Sequence, residues 1–217
     1  MSTSSRQVFV FDLDDTLYSE RSFVVSGIQF VCSFMSAHFG HPDDFPKPSE
    51  VVKQKNWIEY LLQYAVISEK LSRQDLLQLY HNHKPSITLF PDADRFLKKI
   101  ASEGHALALI TDGRSLTQRN KIEALGLNTT FEKIVISEEI GSEKPDIRNF
   151  EEIVAHFPRS NFCFFGDNPL KDFVGPKILG WKTVGMRNRG GNIHPKSVQL
   201  PFSYQPDNWI IDFDTYK

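Results

Sequence analysis

Short, unbroken apolar runs alternate with helix-like segments along most of this chain. The runs lie at residues 8–11, 105–111, 133–137, 161–166 and 182–185. A strand that is buried on both faces of a sheet is apolar throughout, and helical segments between such runs indicate repeated βαβ units. The pattern predicts an α/β fold whose core is a Rossmann-like, doubly wound parallel sheet.

The segment 18–88 departs from this pattern. It contains no strand-like run, and its apolar residues recur every three or four positions in three stretches, as in amphipathic helices. We therefore predict two domains, an α/β core made of 1–17 and 89–217 and an all-helical domain, 18–88, inserted after the first strand. The two short connections between them, at 18–21 and 90–91, are predicted hinges.

Composition excludes several classes of protein. The chain has 217 residues, 40% of them hydrophobic, and 25 Lys and Arg against 27 Asp and Glu, for a net charge of −2. That length allows one large domain or a core with one insertion, and the apolar fraction is sufficient to fill a core. Because there is no basic excess, we do not expect binding to nucleic acid or to an anionic membrane surface.

The cysteines and the N-terminus indicate the compartment. Cys32 and Cys163 are far apart in apolar surroundings, which is typical of reduced thiols in a protein core. The first residues lack the pattern of a signal peptide, and no stretch approaches the roughly 18 consecutive apolar residues of a transmembrane helix. We expect a cytoplasmic protein, either a monomer or a homodimer.

The most informative motif is Phe-Asp-Leu-Asp-Asp-Thr-Leu at residues 11–17, directly after the first predicted strand. Open α/β sheets bind their ligands at the carboxyl ends of the strands. If the chain stays extended there, Asp12 and Asp14 lie on one side, where their charges repel and raise one pKa. A surface acidic turn has the same local pattern, so the assignment depends on residues elsewhere.

Further polar groups follow the other predicted strands in chain order. They are Thr111 with Asp112, Gly113 and Arg114, then Lys144 before a helix, and then Asp167 with Asp172. Because the carboxyl ends of parallel strands meet at one edge of a sheet, we expect these groups to share one site with Asp12 and Asp14.

The motifs, in this order, resemble those of the haloacid dehalogenase superfamily. Its phosphatases carry Asp-x-Asp-x-Thr, a Ser or Thr after the second strand, a Lys, and Gly-Asp-x-x-x-x-Asp. In this chain they match residues 12–16, Thr111, Lys144 and residues 166–172. The insertion at 18–88 lies where subfamily I members carry a helical cap of the C1 type, so the resemblance implies a hydrolase with such a cap.

The resemblance also implies a role for each motif. Asp12 attacks the phosphorus of a phosphate monoester and forms an aspartyl phosphate, while Asp14 protonates the leaving alkoxide and then activates water. Mg2+ is the implied cofactor, held by Asp12, the main-chain carbonyl of Asp14, and Asp167, since this ion prefers oxygen ligands. Thr111 and Lys144 are expected to bind the phosphoryl oxygens.

Other residues are expected close to these. Asp172 is predicted to orient Lys144 or a metal-bound water, with capping of the next turn as its alternative role. Thr16 is predicted to hold the turn by a hydrogen bond to Asp14, and Asp15 to point away from the site. The predicted contacts to substrate are Thr111, Asp112, Gly113, Lys144, Arg114 and Tyr18. For Arg114 a surface salt bridge is the alternative.

The predicted function is Mg2+-dependent hydrolysis of a small phosphorylated metabolite, such as a sugar phosphate, a nucleotide or phosphoglycolate. The dehalogenase branch lacks a second Asp at the position of Asp14, so phosphate chemistry is favoured. Two alternatives remain open. One is a phosphomutase, although mutases usually have Gly where this chain has Thr16, and the other is a non-catalytic phosphate-binding protein on the same scaffold. The helical domain is expected to select the substrate, with Trp57, Tyr60 and Tyr64 as candidate contacts.

Overall fold

The structure is a computed structural model, and it describes residues 6–192 and 200–216. Its sheet consists of β1 (Gln7–Phe11), β2 (Ala106–Thr111), β3 (Lys133–Ile136), β4 (Asn161–Gly166), β5 (Lys182–Met186) and β6 (Asn208–Ile210). The strands are all parallel and lie in the order β3-β2-β1-β4-β5-β6. This is a doubly wound sheet, and the predicted α/β fold class is confirmed.

Ten α-helices connect or flank these strands. They are α1 (Glu20–Phe39), α2 (Pro48–Val51), α3 (Trp57–Leu62), α4 (Ala65–Ser68), α5 (Arg73–Asn82), α6 (Pro91–Ser102), α7 (Ser115–Ala124), α8 (Ser137–Ile140), α9 (Arg148–His156) and α10 (Val174–Ile178) among the residues described. Single 3-10 turns lie at Pro42–Asp44, Phe202–Tyr204 and Phe213–Thr215.

The central strands are buried on both faces, as their unbroken apolar sequences predict. Successive side chains of a strand point to opposite faces. Val8 and Val10 of β1 lie in an apolar cluster with Phe150 of α9, while Phe11 stacks on Phe165 with ring centroids 5.1 Å apart. The sheet is thus covered on both faces, and the functional residues follow at the carboxyl ends of its strands.

The chain divides into two compact units. The core unit comprises Met1–Glu20 and Thr88–Lys217, and the helical unit comprises Arg21–Ile87. The helical unit has its own apolar cluster, in which Val31 and Met35 of α1 are fully buried. Because it has this cluster, the helical unit can bury apolar surface independently of the sheet.

Helix α1 is long and apolar enough, by length and composition alone, to cross a membrane. No such stretch was expected from the sequence. Of its most apolar 18-residue window, 39% is buried inside the protein, and the buried Ile28, Val31, Cys32 and Met35 belong to the cluster of the helical unit. A core helix of a soluble protein passes the same test, so the length and composition of α1 are weak evidence for a membrane-spanning helix.

Candidate active site

A cleft lies at the carboxyl edge of the sheet in the core unit. It is lined by Asp12, Asp14, Glu20, Thr111, Asp112, Lys144, Asp167, Asn168, Lys171 and Asp172. Strand register explains why the first motif is central: Phe11 pairs with Leu109 on one side and with Phe165 on the other. The strand order reverses between β1 and β4, which is where doubly wound sheets bind their ligands.

Lys144 joins two acidic motifs. Its Nζ atom lies 2.5 Å from Asp12 Oδ1 and 2.7 Å from Asp172 Oδ1, and the three side chains are at most 9% exposed. Burial alone would lower the pKa of Lys144, but the charges of Asp12 and Asp172 outweigh it and hold that pKa well above its usual value. A permanent cation therefore lies beside Asp12.

Three carboxylates surround one point in the cleft. Oxygen atoms of Asp12, Asp167 and Asp172 all lie within 4.8 Å of one another. Burial, more than any other cause, raises the pKa of Asp12 to about 8, although Lys144 opposes the shift. Burial and the charges of Asp172 and Asp12 raise the pKa of Asp167 to about 9. A divalent cation offsets both the burial of these carboxylates and their mutual repulsion, so this set of oxygens fits a hard metal ion such as Mg2+.

Asp14 faces a different group of residues. Its Oδ1 and Oδ2 atoms lie 2.7 and 2.8 Å from Nζ of Lys121, and the Tyr18 hydroxyl donates a hydrogen bond to Oδ1. Gln118 Nε2 is at 3.5 Å from Oδ2. The side chain of Asp14 remains 16% exposed to the cleft. Its carboxylate is therefore held by donors from β1's own loop and from α7.

One predicted contact of the first motif, the hydrogen bond from Thr16 to Asp14, is corrected by the structure. Thr16 donates a hydrogen bond to Asp12 Oδ2 at 3.3 Å instead of to Asp14. Asp15, with φ 55°, turns the chain out of the extended path on which the prediction depended, and its carboxylate accepts the Glu20 N–H. Tyr18, predicted to contact substrate, is fully buried with its hydroxyl on Asp14.

The second motif surrounds the end of β2. Thr111 lines the cleft and donates a hydrogen bond to Gln118 Oε1 at 3.2 Å. The carboxylate of Asp112 accepts the Lys144 main-chain N–H at 3.1 Å and Nζ of Lys171 at 2.9 Å. This carboxylate therefore fixes the loop that carries Lys144.

The remaining predicted substrate contacts lie outside the cleft lining. Gly113 donates its N–H to Ser137 Oγ at 2.8 Å, and its φ of 132° favours glycine. Arg114 is exposed just before α7 and is not among the described residues that line the cleft. Their contacts with substrate stay predictions.

Sequence reasoning missed several polar residues of the cleft and its surroundings. They are Glu20, Gln118, Lys121, Lys171 and Asn192. Asn192, from the loop after β5, donates to Asp167 Oδ2 at 3.0 Å. Gln118 and Lys121 lie one turn apart on the buried face of α7, where a polar pair at core positions could have been recognised.

A family model described as haloacid dehalogenase-like hydrolase matches residues 9–186 of this chain. The chain belongs to this family. The resemblance predicted from the motifs is therefore confirmed, and the matched range spans the first strand through β5.

Two relatives of this haloacid dehalogenase-like hydrolase carry phosphatase names. A glyceraldehyde 3-phosphate phosphatase of Pyrococcus furiosus is 30% identical over 213 residues, covering 92% of this chain and 85% of that protein. A phosphoserine phosphatase of Thermus thermophilus is 34% identical over 113 residues, covering 51% of this chain and 45% of that protein. Among solved structures, the hydrolase YfnB of Bacillus subtilis, bound to magnesium, matches with TM-score 0.64 and 17% identity, covering 97% of this chain and 96% of that one. This structural likeness supports the fold.

Proposed function

We propose that this protein is a Mg2+-dependent phosphatase that hydrolyses a small phosphorylated metabolite through an aspartyl phosphate on Asp12. One observation carries the proposal: the buried Lys144 contacts Asp12 and Asp172 at the sheet edge where three carboxylates converge. A phosphate monoester dianion repels an anionic nucleophile unless cations neutralise the site. The combination of a fixed cation, a carboxylate nucleophile and a metal-binding cluster meets that requirement.

The metal is assigned to Asp12, the main-chain carbonyl of Asp14, and Asp167, with Asp172 close enough to contribute. Asn192 donates to Asp167 Oδ2 and thereby orients that carboxylate. When bound, Mg2+ would neutralise phosphate charge and orient the ester for in-line attack.

The protein's own residues then perform the chemistry. An oxygen of Asp12 forms a bond to phosphorus while the bond from phosphorus to the ester oxygen breaks, and Asp14 gives its proton to the departing alkoxide. In the second step Asp14 takes a proton from water, whose oxygen attacks phosphorus and releases Asp12. Lys144 and Thr111 hold the phosphoryl oxygens during both steps, since both line the cleft beside Asp12.

Release of phosphate to water is proposed over its return to a sugar. Thr16, whose position is usually Gly in the mutases, donates to Asp12 and helps to fix the nucleophile. The two relatives with phosphatase names support hydrolysis as well.

The first test measures release of nitrophenol from p-nitrophenyl phosphate with and without Mg2+. A panel of natural esters should follow, including glyceraldehyde 3-phosphate, phosphoserine, phosphoglycolate and pyrimidine nucleotides. We expect metal-dependent turnover with one ester preferred over the aryl phosphate. Transfer of labelled phosphate to a second sugar, without release of inorganic phosphate, would instead identify a mutase.

We further propose that the helical unit, Arg21–Ile87, supplies the substrate selectivity. Tyr60 and Tyr64 of this unit are half-buried and share a hydrogen bond of 3.2 Å between their hydroxyls, so each keeps hydrogen-bonding capacity. Trp57 packs against Tyr80 with ring centroids 5.3 Å apart and serves chiefly as packing. Lid domains of this kind select the substrate while the core performs the reaction.

Replacing Tyr60 by Phe is expected to lower kcat/KM on the preferred ester between about twofold and tenfold, the value of one hydrogen bond. Turnover of p-nitrophenyl phosphate should not change, because the core chemistry is untouched. Steady-state kinetics on both esters check this, with Trp57→Phe as a packing control. An equal loss on both esters would mean that the helical unit is only scaffold.

A further inference from the structure

Lys121 is a buried cation that the reaction outlined above does not use. We propose that Lys121 is a positioning residue: it fixes the Asp14 carboxylate so that Oδ2 faces the leaving group, an inference that rests on the proposed phosphatase function. The side chain of Lys121 is only 4% exposed, although lysine is among the residues least often buried. Burying an ammonium group is costly unless a carboxylate accompanies it.

The contact between Lys121 and Asp14 has two points. Nζ lies 2.7 Å from Oδ1 and 2.8 Å from Oδ2, so it restrains both the distance and the plane of the carboxylate. Hydrogen bonds between two charged groups are roughly twice as strong as neutral ones. A contact of this strength in a buried place holds a side chain in one rotamer.

Counting hydrogen bonds distinguishes the two oxygens of Asp14. Each carboxylate oxygen offers about two lone-pair sites. Oδ1 accepts from Lys121 and from the Tyr18 hydroxyl, which fills both. Oδ2 accepts from Lys121, and among the described residues its one other hydrogen-bond contact is the long one of 3.5 Å with Gln118. Oδ2 is therefore the oxygen with room to exchange a proton with the substrate.

Helix α7, which carries Lys121, is itself held on two faces. On its buried face Gln118 accepts from Thr111 Oγ1 at 3.2 Å and donates to the Asp112 carbonyl at 2.9 Å. On its exposed face Arg119 makes two hydrogen bonds to Glu139, at 3.0 and 2.7 Å. Gln118 and Lys121, three residues apart on this buried face of α7, thus restrain the phosphate-binding Thr111 and the acid-base Asp14, respectively.

The test exploits the different needs of two leaving groups. A nitrophenolate departs without a proton, whereas the alkoxide of an alkyl phosphate needs one from Asp14. The ratio kcat/KM reports only the steps up to and including departure of the leaving group. In Lys121→Met, we expect kcat/KM on glycerol 1-phosphate to fall at least about tenfold more than kcat/KM on p-nitrophenyl phosphate. A general acid contributes about 100-to-10,000-fold to the rate, and a misplaced Asp14 would lose part of that factor. A general packing defect would lower both values equally and would overturn the proposal.

A double-mutant cycle asks whether Lys121 acts through Asp14. In an Asp14→Asn background, Lys121→Met should cause no further loss on glycerol 1-phosphate, because the group that it positions is already gone. If the loss of kcat/KM in the double variant instead equals the product of the losses in the two single variants, the proposal is contradicted. Lys121→Gln, which replaces the ammonium by a shorter, neutral amide, repeats the cycle if Lys121→Met does not fold, and thermal unfolding reports folding in each case.

Lys98→Met is the matched control, since it removes an exposed cation of α6 that pairs with Asp94 away from the cleft lining. We expect it to retain the leaving-group preference of the wild-type protein. If the wild type hydrolyses neither ester in Mg2+, the phosphatase function itself is wrong. If the wild type hydrolyses both esters and Lys121→Met lowers kcat/KM equally on both, only the proposed positioning role of Lys121 is wrong.

Discussion

Replacing Asp12 by Asn is expected to lower kcat by about 10,000-fold or more, the scale seen when a covalent nucleophile is removed. An amide is too weak a nucleophile to open a phosphate ester, and it also loses the negative charge that faces Lys144 at 2.5 Å. Steady-state kinetics with p-nitrophenyl phosphate and with the preferred ester measure the loss. In the wild-type protein, beryllium fluoride should bind on Asp12 as a mimic of the aspartyl phosphate.

Asp207→Asn provides the control for this substitution. Asp207 accepts hydrogen bonds from Thr183 at 2.8 and 2.9 Å, near the start of β5 and away from the cleft lining. Its variant should keep full turnover even if it is less stable. Labelled phosphate trapped on any residue other than Asp12 would refute the assignment of the nucleophile.

The α/β core was predictable because its strands are apolar throughout and because helices separate them. Residues 8–11 and 161–166 correspond closely to β1 and β4. Strand β6 was not predicted. It has only three residues, Asn208–Ile210, of which one is buried, so it lacks the apolar run that identifies the others.

The cleft was predictable in part for the same topological reason. Asp12, Thr111 and Asp167 lie at the carboxyl ends of three neighbouring parallel strands, which share one edge of the sheet. The predicted bond from Thr16 to Asp14 was wrong because strand alternation ends with β1 at Phe11 and the left-handed Asp15 redirects the chain. The predicted phosphatase activity agrees with the names of the relatives.

Other parts of the site depend on tertiary packing. Lys121 reaches Asp14 across 107 positions of sequence, and Asn192 reaches Asp167 from a loop after β5. The polar pair Gln118 and Lys121 on α7 can be noticed in the sequence, but neither this pair nor an Asn in a loop indicates which residue is its partner. These contacts become visible only when the sheet brings α7 and the β5 loop to the same edge.

Removing divalent metal is expected to stop turnover completely and reversibly. Without a cation, the oxygens of Asp12, Asp167 and Asp172 repel one another within 4.8 Å, and the substrate adds a dianion to the same cleft. Lys144 supplies a single positive charge and is already paired with two of these carboxylates. One positive charge cannot balance three carboxylates and a phosphate dianion, so a second source of positive charge is required.

Activity in excess chelator and after Mg2+ is restored gives the first measurement, and Mn2+ binding followed by electron paramagnetic resonance gives a second that does not depend on turnover. Asp167→Asn should weaken Mn2+ binding at least about 100-fold, because even groups that only orient a ligand cost 10-to-100-fold. Asp207→Asn should bind Mn2+ as the wild type does. Full turnover in chelator would show that the carboxylates serve only to hold Lys144. Lost turnover with unchanged Mn2+ binding in Asp167→Asn would place the ion on a different set of oxygens.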